Sequence, residues 1–265
     1  MTGAGSIRIG VGGWTFAPWR GPFYPKGLPH KDELSYASRH LTAIEINGTF
    51  YRTQSPASFR KWAEETPDGF VFALKGHRFV TNRKVLGEAG DGIRHFVDSG
   101  ILELGDKLGP LNWQLAGTKR FDPGDTEAFL KLLPREAGGR PLRHALEVRH
   151  ESFAVPEFVD LARRHGVAIV FADSDEYPAI ADQTADFVYV RLQRSRAGED
   201  AGYAPAEIDR WAGAARAWAG GQGPDGLPLV AGPAPAKTGR DVFVFFISGE
   251  KVRNPLAARE LIGRL

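Results

Sequence analysis

Charged and amide side chains alternate with apolar ones in several short segments of this sequence. In residues 43–47, Glu45 stands between Ile44 and Ile46, and in residues 145–149, Glu147 precedes Arg149 by two positions. Successive side chains of a β-strand point to opposite faces, so this spacing collects polar groups on one face. The groups that we assign to the polar, inward face are carboxylates, cations and amides: Glu45, Glu147, Asp173, Lys75, Arg149, Arg191, Asn47 and Gln114.

Such a set has the components of acid–base chemistry on an anionic substrate. The planar fork of an arginine binds phosphate or carboxylate, and a lysine adds a further positive charge. A carboxylate that is desolvated beside other acids acquires the raised pKa that proton transfer requires. We therefore predict that the cations hold a small anion, that Glu45 and Glu147 act as general acid and base, and that Asp173 orients a partner or joins a metal. Hydrolysis and isomerisation both fit this set.

Aromatic and polar residues directly after the inward-facing segments extend the predicted site. Gly12, Gly13 and Trp14 follow the first segment, and residues 48–52 form a dense polar and aromatic stretch after the second. Aromatic side chains in such positions line a pocket or stack on a ring, and packing within the loops is an equally good interpretation. We predict substrate contacts from Trp14, Trp19, Asn47, Thr49, Tyr51, Arg52, Lys75, Gln114, Arg149, His150 and Arg191.

Eight segments of this kind indicate the fold. Predicted strands occupy residues 7–11, 43–47, 71–75, 111–115, 145–149, 168–173, 187–192 and 242–246. Amphipathic stretches between them predict helices at 31–40, 56–65, 125–133, 156–165, 205–219 and 257–265. Strands that alternate with helices form a parallel sheet, and eight such units in 265 residues favour a TIM-like (β/α)₈ barrel that is a single domain over 1–265. The predicted polar groups lie near the C-terminal strand ends, where barrel enzymes build their active sites.

Two segments stand outside the strand and helix pattern. Residues 220–239 are rich in Gly, Pro and Ala and precede the last strand, which predicts a long surface loop on the N-terminal side of that strand. Residues 1–6 are small and polar, and we expect them to be flexible. They also lack the charged and apolar regions of a signal peptide.

Composition narrows the classes of function. The chain has no cysteine, which excludes disulfides and thiolate metal sites and fits a cytoplasmic protein. The net charge of +2 does not indicate a nucleic-acid partner, and no apolar run is long enough to span a membrane. We expect a small anionic molecule as the partner.

Several interpretations of the polar cluster remain open. Motifs for nucleotide phosphates or a serine nucleophile are missing from the sequence, and no cofactor or metal ligand is assigned. A metal-dependent phosphoesterase or nuclease is one alternative, with a divalent metal held by His77 or His150 and the three carboxylates. A non-catalytic protein that binds an anion or a partner is another. A structural ion-pair network that closes the barrel mouth is a third.

The same residues carry a resemblance to a known family. The sequence resembles the YecE-like family, domain of unknown function seventy-two, through the segments IRIGVGGWTFAPWRGPFYPKGLPHKDELSYAS, IEINGTFYRTQSPASFRKWAEETPDGFVFALKG, KLGPLNWQLAGTKRFDP, LEVRHESF, HGVAIVFADS, TADFVYVRLQ and GYAPAEIDRWA. The resemblance covers nearly the whole chain and implies a TIM-like barrel without implying a reaction. The family's recurring polar positions correspond here to Trp14, Trp19, Glu45, Asn47, Thr49, Tyr51, Arg52, Lys75, Gln114, Glu147, Arg149, His150, Asp173 and Arg191.

This chain departs from the family pattern in three loops. It has Gly12 where many relatives have serine before Gly-Trp, and residues 115–117 replace a common proline pair. After the last strand it has Phe246, Ile247, Ser248 and Gly249, where many relatives carry two asparagines. The last change predicts fewer amide groups at the barrel mouth and a different ligand in this subfamily.

Overall fold

Eight parallel strands close into a barrel in this computed structural model, in which residues 3–234 and 239–265 are described. Each strand pairs with its neighbours in sequence, and the last strand returns to the first to close the ring. The predicted TIM-like barrel is confirmed. The strands are β1 (Ile7–Gly12), β2 (Ala43–Ile46), β3 (Val71–Lys75), β4 (Leu108–Gln114), β5 (His144–Glu147), β6 (Ala168–Asp173), β7 (Phe187–Leu192) and β8 (Asp241–Phe246).

Helices cover the outside of the barrel. They are α1 (Glu33–Ala37), α2 (Gly48–Tyr51), α3 (Pro56–Glu65), α4 (Arg78–Thr81), α5 (Gly90–Val97), α6 (Pro123–Leu132), α7 (Pro156–His165), α8 (Pro205–Ala219) and α9 (Asn254–Ile262). Short 3₁₀ turns add Ala17–Trp19, His30–Asp32, Leu86–Glu88, Ile101–Lys107 and Glu151–Phe153, and a small ribbon pairs Glu136–Ala137 with Arg140–Pro141.

The best predicted helices are those with strong end signals. Ser55 caps α3 by accepting a hydrogen bond from the Ser58 backbone, and proline follows at the first helical position. Gly166 ends α7 in the left-handed region at φ 65°, where a side chain would be strained. The predicted bounds of α3, α7 and α8 are therefore confirmed.

Other helices differ from the prediction. The stretch 31–40 is shorter than expected, because a 3₁₀ turn precedes α1 and the helix ends at Ala37. Helix α5 was missed, since two of its first three residues are glycines that weaken a helical pattern. In the described residues 174–186, between β6 and β7, the chain runs without a helix.

Strand β4 begins three residues earlier than predicted. Gly109 and Pro110 have the composition of a turn, yet both lie in the strand. The pairing with β3 shifts between Phe72 and Leu74, which makes room for one extra residue of β4. A bulge of this kind accommodates a proline that has no amide hydrogen to donate to the sheet.

The strands separate two apolar layers, as their alternation predicted. One large cluster joins the outward side chains to the helices, and it includes Ile44, Leu74, Trp113, Leu146 and Val190. A smaller cluster fills the inside of the barrel with the alternate residues, mainly alanines and the aromatic rings of β7 and β8. The side chains of β2, β3, β4, β5 and β7 therefore take the predicted faces.

Strand β6 is the exception. Val170 belongs to the inner cluster, whereas Phe171 belongs to the outer cluster and contacts Trp211 and Trp218 of α8. Asp173 has the same parity as Phe171, so its predicted inward position is wrong. All six residues of β6 are buried, and a strand that is covered on both sides gives no polar alternation to read.

The Gly- and Pro-rich segment precedes β8 as predicted, but its described part is fastened to the barrel. Buried Asp182 accepts hydrogen bonds from the backbones of Val230 and Ala231, at 2.7 and 3.0 Å. Arg163 donates to the carbonyl of Gly232 and lies 3.6 Å from Asp182. The prediction for residues 235–238 lies outside the described residues.

The chain start is also held in part. The Gly5 backbone donates to Ala219, and Ser6 bonds to Asp241 through its backbone and its hydroxyl. The flexibility expected of residues 1–6 stays a prediction, and residues 1 and 2 lie outside the described part. Across the described ranges, no helix combines the length and the apolar character that crossing a bilayer requires.

Candidate functional site at the C-terminal mouth of the barrel

A buried arginine lies between two buried carboxylates inside the C-terminal end of the barrel. Arg191 of β7 donates to Glu45 of β2 at 3.0 Å and to Glu147 of β5 at 2.7 Å. Arg191 is 2% exposed, and both carboxylates are 0% exposed. Desolvating a charge is costly unless it is paired, so these three groups depend on one another.

An amide and a phenol give each carboxylate a further hydrogen-bond donor. Tyr189 donates its hydroxyl to Glu45 at 2.6 Å, and Asn112 donates its side-chain amide to Glu147 at 3.3 Å. Burial raises the pKa of Tyr189 well above its usual value, and the neighbouring Glu45 carboxylate raises it further, so the phenol stays protonated as the donor. Asn112 lies in the predicted strand 111–115, but only Gln114 of that strand was predicted to face inward, so Asn112 was not predicted as a site residue.

A second arginine connects this core to the outside. Arg149 donates to Glu147 at 2.9 Å and to the side-chain oxygen of Gln114 at 2.6 Å. Its guanidinium also lies 4.3 Å from the ring centroid of Tyr177 and donates to the Tyr177 hydroxyl at 3.2 Å. Arg149 is therefore held in one orientation at the cavity wall, with its charge only partly neutralised by Glu147.

These contacts keep the Glu147 carboxyl ionised. Burial by itself would raise its pKa, but the charges of Arg191, Arg149 and a nearby lysine outweigh that effect and lower the pKa. A general acid needs the opposite shift. Neither Glu45 nor Glu147 is among the residues that line the cavity above them. Both belong to the predicted cluster, and the acid–base roles predicted for them stay predictions.

A cavity of about 460 Å³ opens above the buried cluster. It is lined by the ends of β1, β3, β4, β7 and β8 and by the loops that follow β2 and β8. Seven of the predicted site residues line it: Trp19, Asn47, Tyr51, Lys75, Gln114, Arg149 and Arg191. Lining residues that the prediction did not commit to are Gly12, Phe50, Phe246, Ile247, Ser248, Lys251 and Asn254.

Lys75 is the unusual cation of this cavity. It is 8% exposed, and its amine lies 4.4 Å from the centroid of the Phe50 ring. Within residues 3–234 and 239–265 it forms no ion pair, because the buried carboxylates are engaged by Arg191 and Arg149. Burial, and next the charge of Arg191, lower the pKa of Lys75 from 10.5 to about 8.

The segment after β8 supplies a fourth cation. Lys251 lies 4.3 Å from the ring centroid of Phe16 and 5.7 Å from that of Trp19. The Trp19 indole donates to the Lys251 backbone at 2.8 Å, which fixes this loop against the loop after β1. Lys251 lies outside the strands, so strand alternation could not identify it. It reaches the cavity because barrel closure brings the loop after β8 beside the loop after β1.

The loop after β8 does not lack amides altogether. Asn254 lines the cavity, donates to the Ser248 carbonyl at 3.1 Å and accepts from the Ser195 hydroxyl at 2.8 Å. These bonds hold Ser248 in the left-handed region at φ 64°, which is uncommon for a residue other than glycine. The departure from the family pattern at residues 246–249 therefore coincides with a constrained loop at the mouth.

Besides Glu45 and Glu147, five predicted site residues lie outside the cavity lining. Trp14 packs against Trp62 at 5.1 Å between ring centroids, and Arg52 is exposed on the surface. Buried Thr49 donates to the carbonyl of Lys75 at 2.7 Å, so it fastens the end of β2 to the end of β3. The remaining two are His150 and Asp173.

Those two residues have other partners. His150 accepts a hydrogen bond from the Ser152 backbone at 3.1 Å and caps a 3₁₀ turn. His77 caps α4 in the same way. Asp173 lies 3.5 Å from Arg194. The side chains suggested as ligands of a divalent metal are therefore not brought together. In the described part of the chain, no group of three or more His, Asp or Glu residues suited to a metal occurs.

Comparison with known proteins places the chain in a family. The sequence model of the family described as "Protein of unknown function DUF72" matches residues 8–265. The chain belongs to the DUF72 family. Among curated relatives, UPF0759 protein YecE of Escherichia coli strain K12 is 29% identical over 150 residues, which are 56% of this chain and 50% of that protein. YunF of Bacillus subtilis strain 168 is 26% identical over 160 residues, which are 58% and 54% of the two chains.

The chain spans about half the length of the curated relatives it matches. Solved DUF72 structures match over nearly their whole length. The protein from Thermotoga maritima superposes with a TM-score of 0.74 at 21% identity, covering 97% of this chain and 98% of that one. One from Enterococcus faecalis gives 0.70 at 15% identity, with 98% and 95% covered. These identities establish the fold alone.

A xylose isomerase-like TIM barrel/4-hydroxyphenylpyruvate dioxygenase fusion protein is a more distant structural neighbour. Its TM-score is 0.51 at 15% identity, and the match covers 94% of this chain and 41% of that protein. This likeness also concerns the barrel fold and carries no substrate or reaction to the DUF72 chain.

Proposed function

We propose that this DUF72 protein is an enzyme that binds a small phosphate- or carboxylate-bearing molecule in the cavity at the C-terminal mouth of its barrel. The observation that carries the proposal is an imbalance of charge. In the described part of the chain, Arg149 and Arg191 pair with Glu45 and Glu147, Lys75 forms no ion pair, and Lys251 adds a further cation at the rim. An anion that enters the cavity supplies the missing negative charge.

The buried layer has a positioning role in this proposal. Glu45 and Glu147 hold Arg191 in place, and Glu147 also holds Arg149 with help from Gln114. A guanidinium that is fixed in this way binds an anion without first losing side-chain freedom. The ion-pair network and the functional site are then two layers of one structure, so the structural interpretation of the network complements the functional one.

Lys75 is the group that we assign to proton transfer. Its pKa of about 8 lies near neutral pH, which is where a general acid or base works best. It lines the cavity, whereas Glu45 and Glu147 lie beneath it. The reaction class that we infer is hydrolysis or isomerisation, with Lys75 replacing the carboxylates as the acid–base group.

A matched pair of variants tests this proposal. The wild-type protein would be incubated with a panel of sugar phosphates and small carboxylic acids, and consumption would be followed by mass spectrometry. We expect at least one compound to be consumed by the wild type and by Lys61→Met, an exposed residue of α3, but not by Lys75→Met. Binding of panel members without any consumption would replace the enzyme by a non-catalytic anion-binding protein.

A further inference from the structure

We propose that Lys75 is a nucleophilic amine that forms an imine with an aldehyde or ketone carrying a phosphate or carboxylate group. This inference rests on the proposed function, and it narrows the substrate class from anions in general to anionic carbonyl compounds. Four features of the site support it: the position of the amine, its charge environment, the wall beside it and the anion anchors across the cavity.

Lys75 is the last residue of β3, so its side chain starts at the strand end that faces the cavity. The Thr49 hydroxyl bonds to the Lys75 carbonyl at 2.7 Å and to the Ile46 carbonyl at 2.9 Å. These bonds fix the backbone from which the amine extends. The backbone that carries the Lys75 side chain is therefore positioned by the barrel rather than by a mobile loop.

The charge environment favours the free amine. The two carboxylates beneath Lys75 are engaged by Arg191 and Arg149, and the guanidinium of Arg191 opposes a second positive charge nearby. A lysine becomes a nucleophile when it is desolvated beside another cation. At pH 7.5, a pKa of about 8 leaves about a quarter of such amines uncharged, against about a thousandth for an ordinary lysine.

The surroundings of the amine suit both formation and retention of an imine. The Phe50 ring at 4.4 Å shields one side of the nitrogen from water. Arg149 and Lys251 also line the cavity, where they can bind the anionic group while the carbonyl carbon meets Lys75. Proximity of this kind replaces a bimolecular encounter with a local one.

The step balances without an additional reactant. The lone pair of the Lys75 nitrogen attacks the carbonyl carbon, forming the N–C bond, and a proton passes from nitrogen to the carbonyl oxygen. The C–O bond of this carbinolamine then breaks, and the hydroxyl leaves as water with the second nitrogen-bound hydrogen. The product is a C=N bond to Lys75, and no oxidant or reductant is consumed.

Reductive trapping tests the inference on the intact protein. Glyoxylate and cyanoborohydride at pH 7.5 convert an imine to a stable carboxymethyl-lysine, which peptide mass spectrometry assigns to individual lysines. We expect Lys75 to be modified at least about tenfold faster than the exposed Lys26, Lys31 and Lys61, given its larger free-amine fraction. Inorganic phosphate should slow the modification of Lys75 alone.

A neutral probe separates the amine from the anion anchors. Glycolaldehyde lacks the carboxylate, so Lys251→Met should slow trapping by glyoxylate several-fold and leave trapping by glycolaldehyde unchanged. If phosphate stabilises the wild type and not Lys75→Met, while Lys75 reacts no faster than the exposed lysines with either probe, the imine inference is wrong and the anion site stands. If phosphate also fails to stabilise the wild type, the proposed function is wrong as well.

Discussion

Charged side chains at the two ends of the barrel interior are stabilised in different ways. At the N-terminal end, the rings of Phe187 and Phe243 belong to the inner apolar cluster. Arg143 lies about 6 Å from both ring centroids and pairs with Asp241 at 2.6 Å. That pair is partly exposed to solvent, so water also solvates its two charges.

At the C-terminal end the charges are buried more deeply and do not cancel. Glu45 and Glu147 face Arg191 and Arg149, and Lys75 is left without a carboxylate in the described residues. A site selected for stability alone would omit a desolvated, unpaired amine. This difference supports the proposal that the C-terminal end binds an anionic ligand.

Removing one carboxylate from each end should give the largest contrast. We expect Glu147→Gln to lower the free energy of unfolding by about 3–5 kcal/mol, because Arg191 would keep one buried carboxylate, Glu45, in place of two. Asp241→Asn should lower it by about 1 kcal/mol, because water solvates the Arg143 left behind. Urea denaturation of both variants measures the difference. Equal losses would show that the two ion pairs do not differ in the way described here.

Replacing the unpaired amine should have the opposite sign. Lys75→Met removes a desolvated charge and keeps the chain length, so we expect a gain of about 1–3 kcal/mol at pH 7. The pKa of Lys75 is lowered in the folded protein, so between pH 8 and 10.5 the unfolded chain binds more protons and wild-type stability rises with pH. The advantage of the variant should therefore shrink over that range.

Thermal unfolding of the wild type and Lys75→Met from pH 7 to 10 measures this difference in stability, with Lys61→Met as the exposed lysine control. A destabilised Lys75→Met at pH 7 would mean that the amine has a stabilising partner.

Anion binding should depend on pH through the same amine, with a smaller effect. As pH rises through about 8, Lys75 loses its charge, whereas Arg149 and Arg191 keep theirs. We expect the stabilisation by sulfate, an anion whose charge does not change over this range, to weaken between pH 7 and 9, by about tenfold in affinity or about 1.4 kcal/mol. In Lys75→Met the pH dependence over this range should be flat. A wild-type profile without an inflection near pH 8 would assign anion binding to the arginines alone.

Much of the cluster could be predicted from strand alternation. Glu45, Lys75, Glu147 and Arg191 each stand between apolar residues in strands that have one polar and one apolar face, so their inward direction was readable. Asp173 could not be placed in this way, because β6 is buried on both faces. Polarity alone suggested that it faced inward, and packing of Phe171 against α8 decided otherwise.

The rim of the site could not be predicted from local pattern. Lys251 and Asn254 follow β8 in a loop and at a helix start. The approach of Lys251 to Trp19 depends on closing the barrel between β1 and β8. The roles of the carboxylates were also beyond the sequence. Alternation showed that Glu147 faces inward, but its depth beneath Arg149 and Arg191 depends on how far each side chain extends.

Calorimetric titration with inorganic phosphate at pH 7 tests the central claim, that the C-terminal mouth is an anion site created by unbalanced charge. The proteins compared would be the wild type, Lys75→Met, Lys61→Met and Arg143→Met, which removes a cation from the N-terminal end. We predict one binding site in the wild type, unchanged in Lys61→Met and Arg143→Met and weakened about tenfold or more in Lys75→Met. Equal binding by all four proteins, or loss in Arg143→Met alone, would contradict the account.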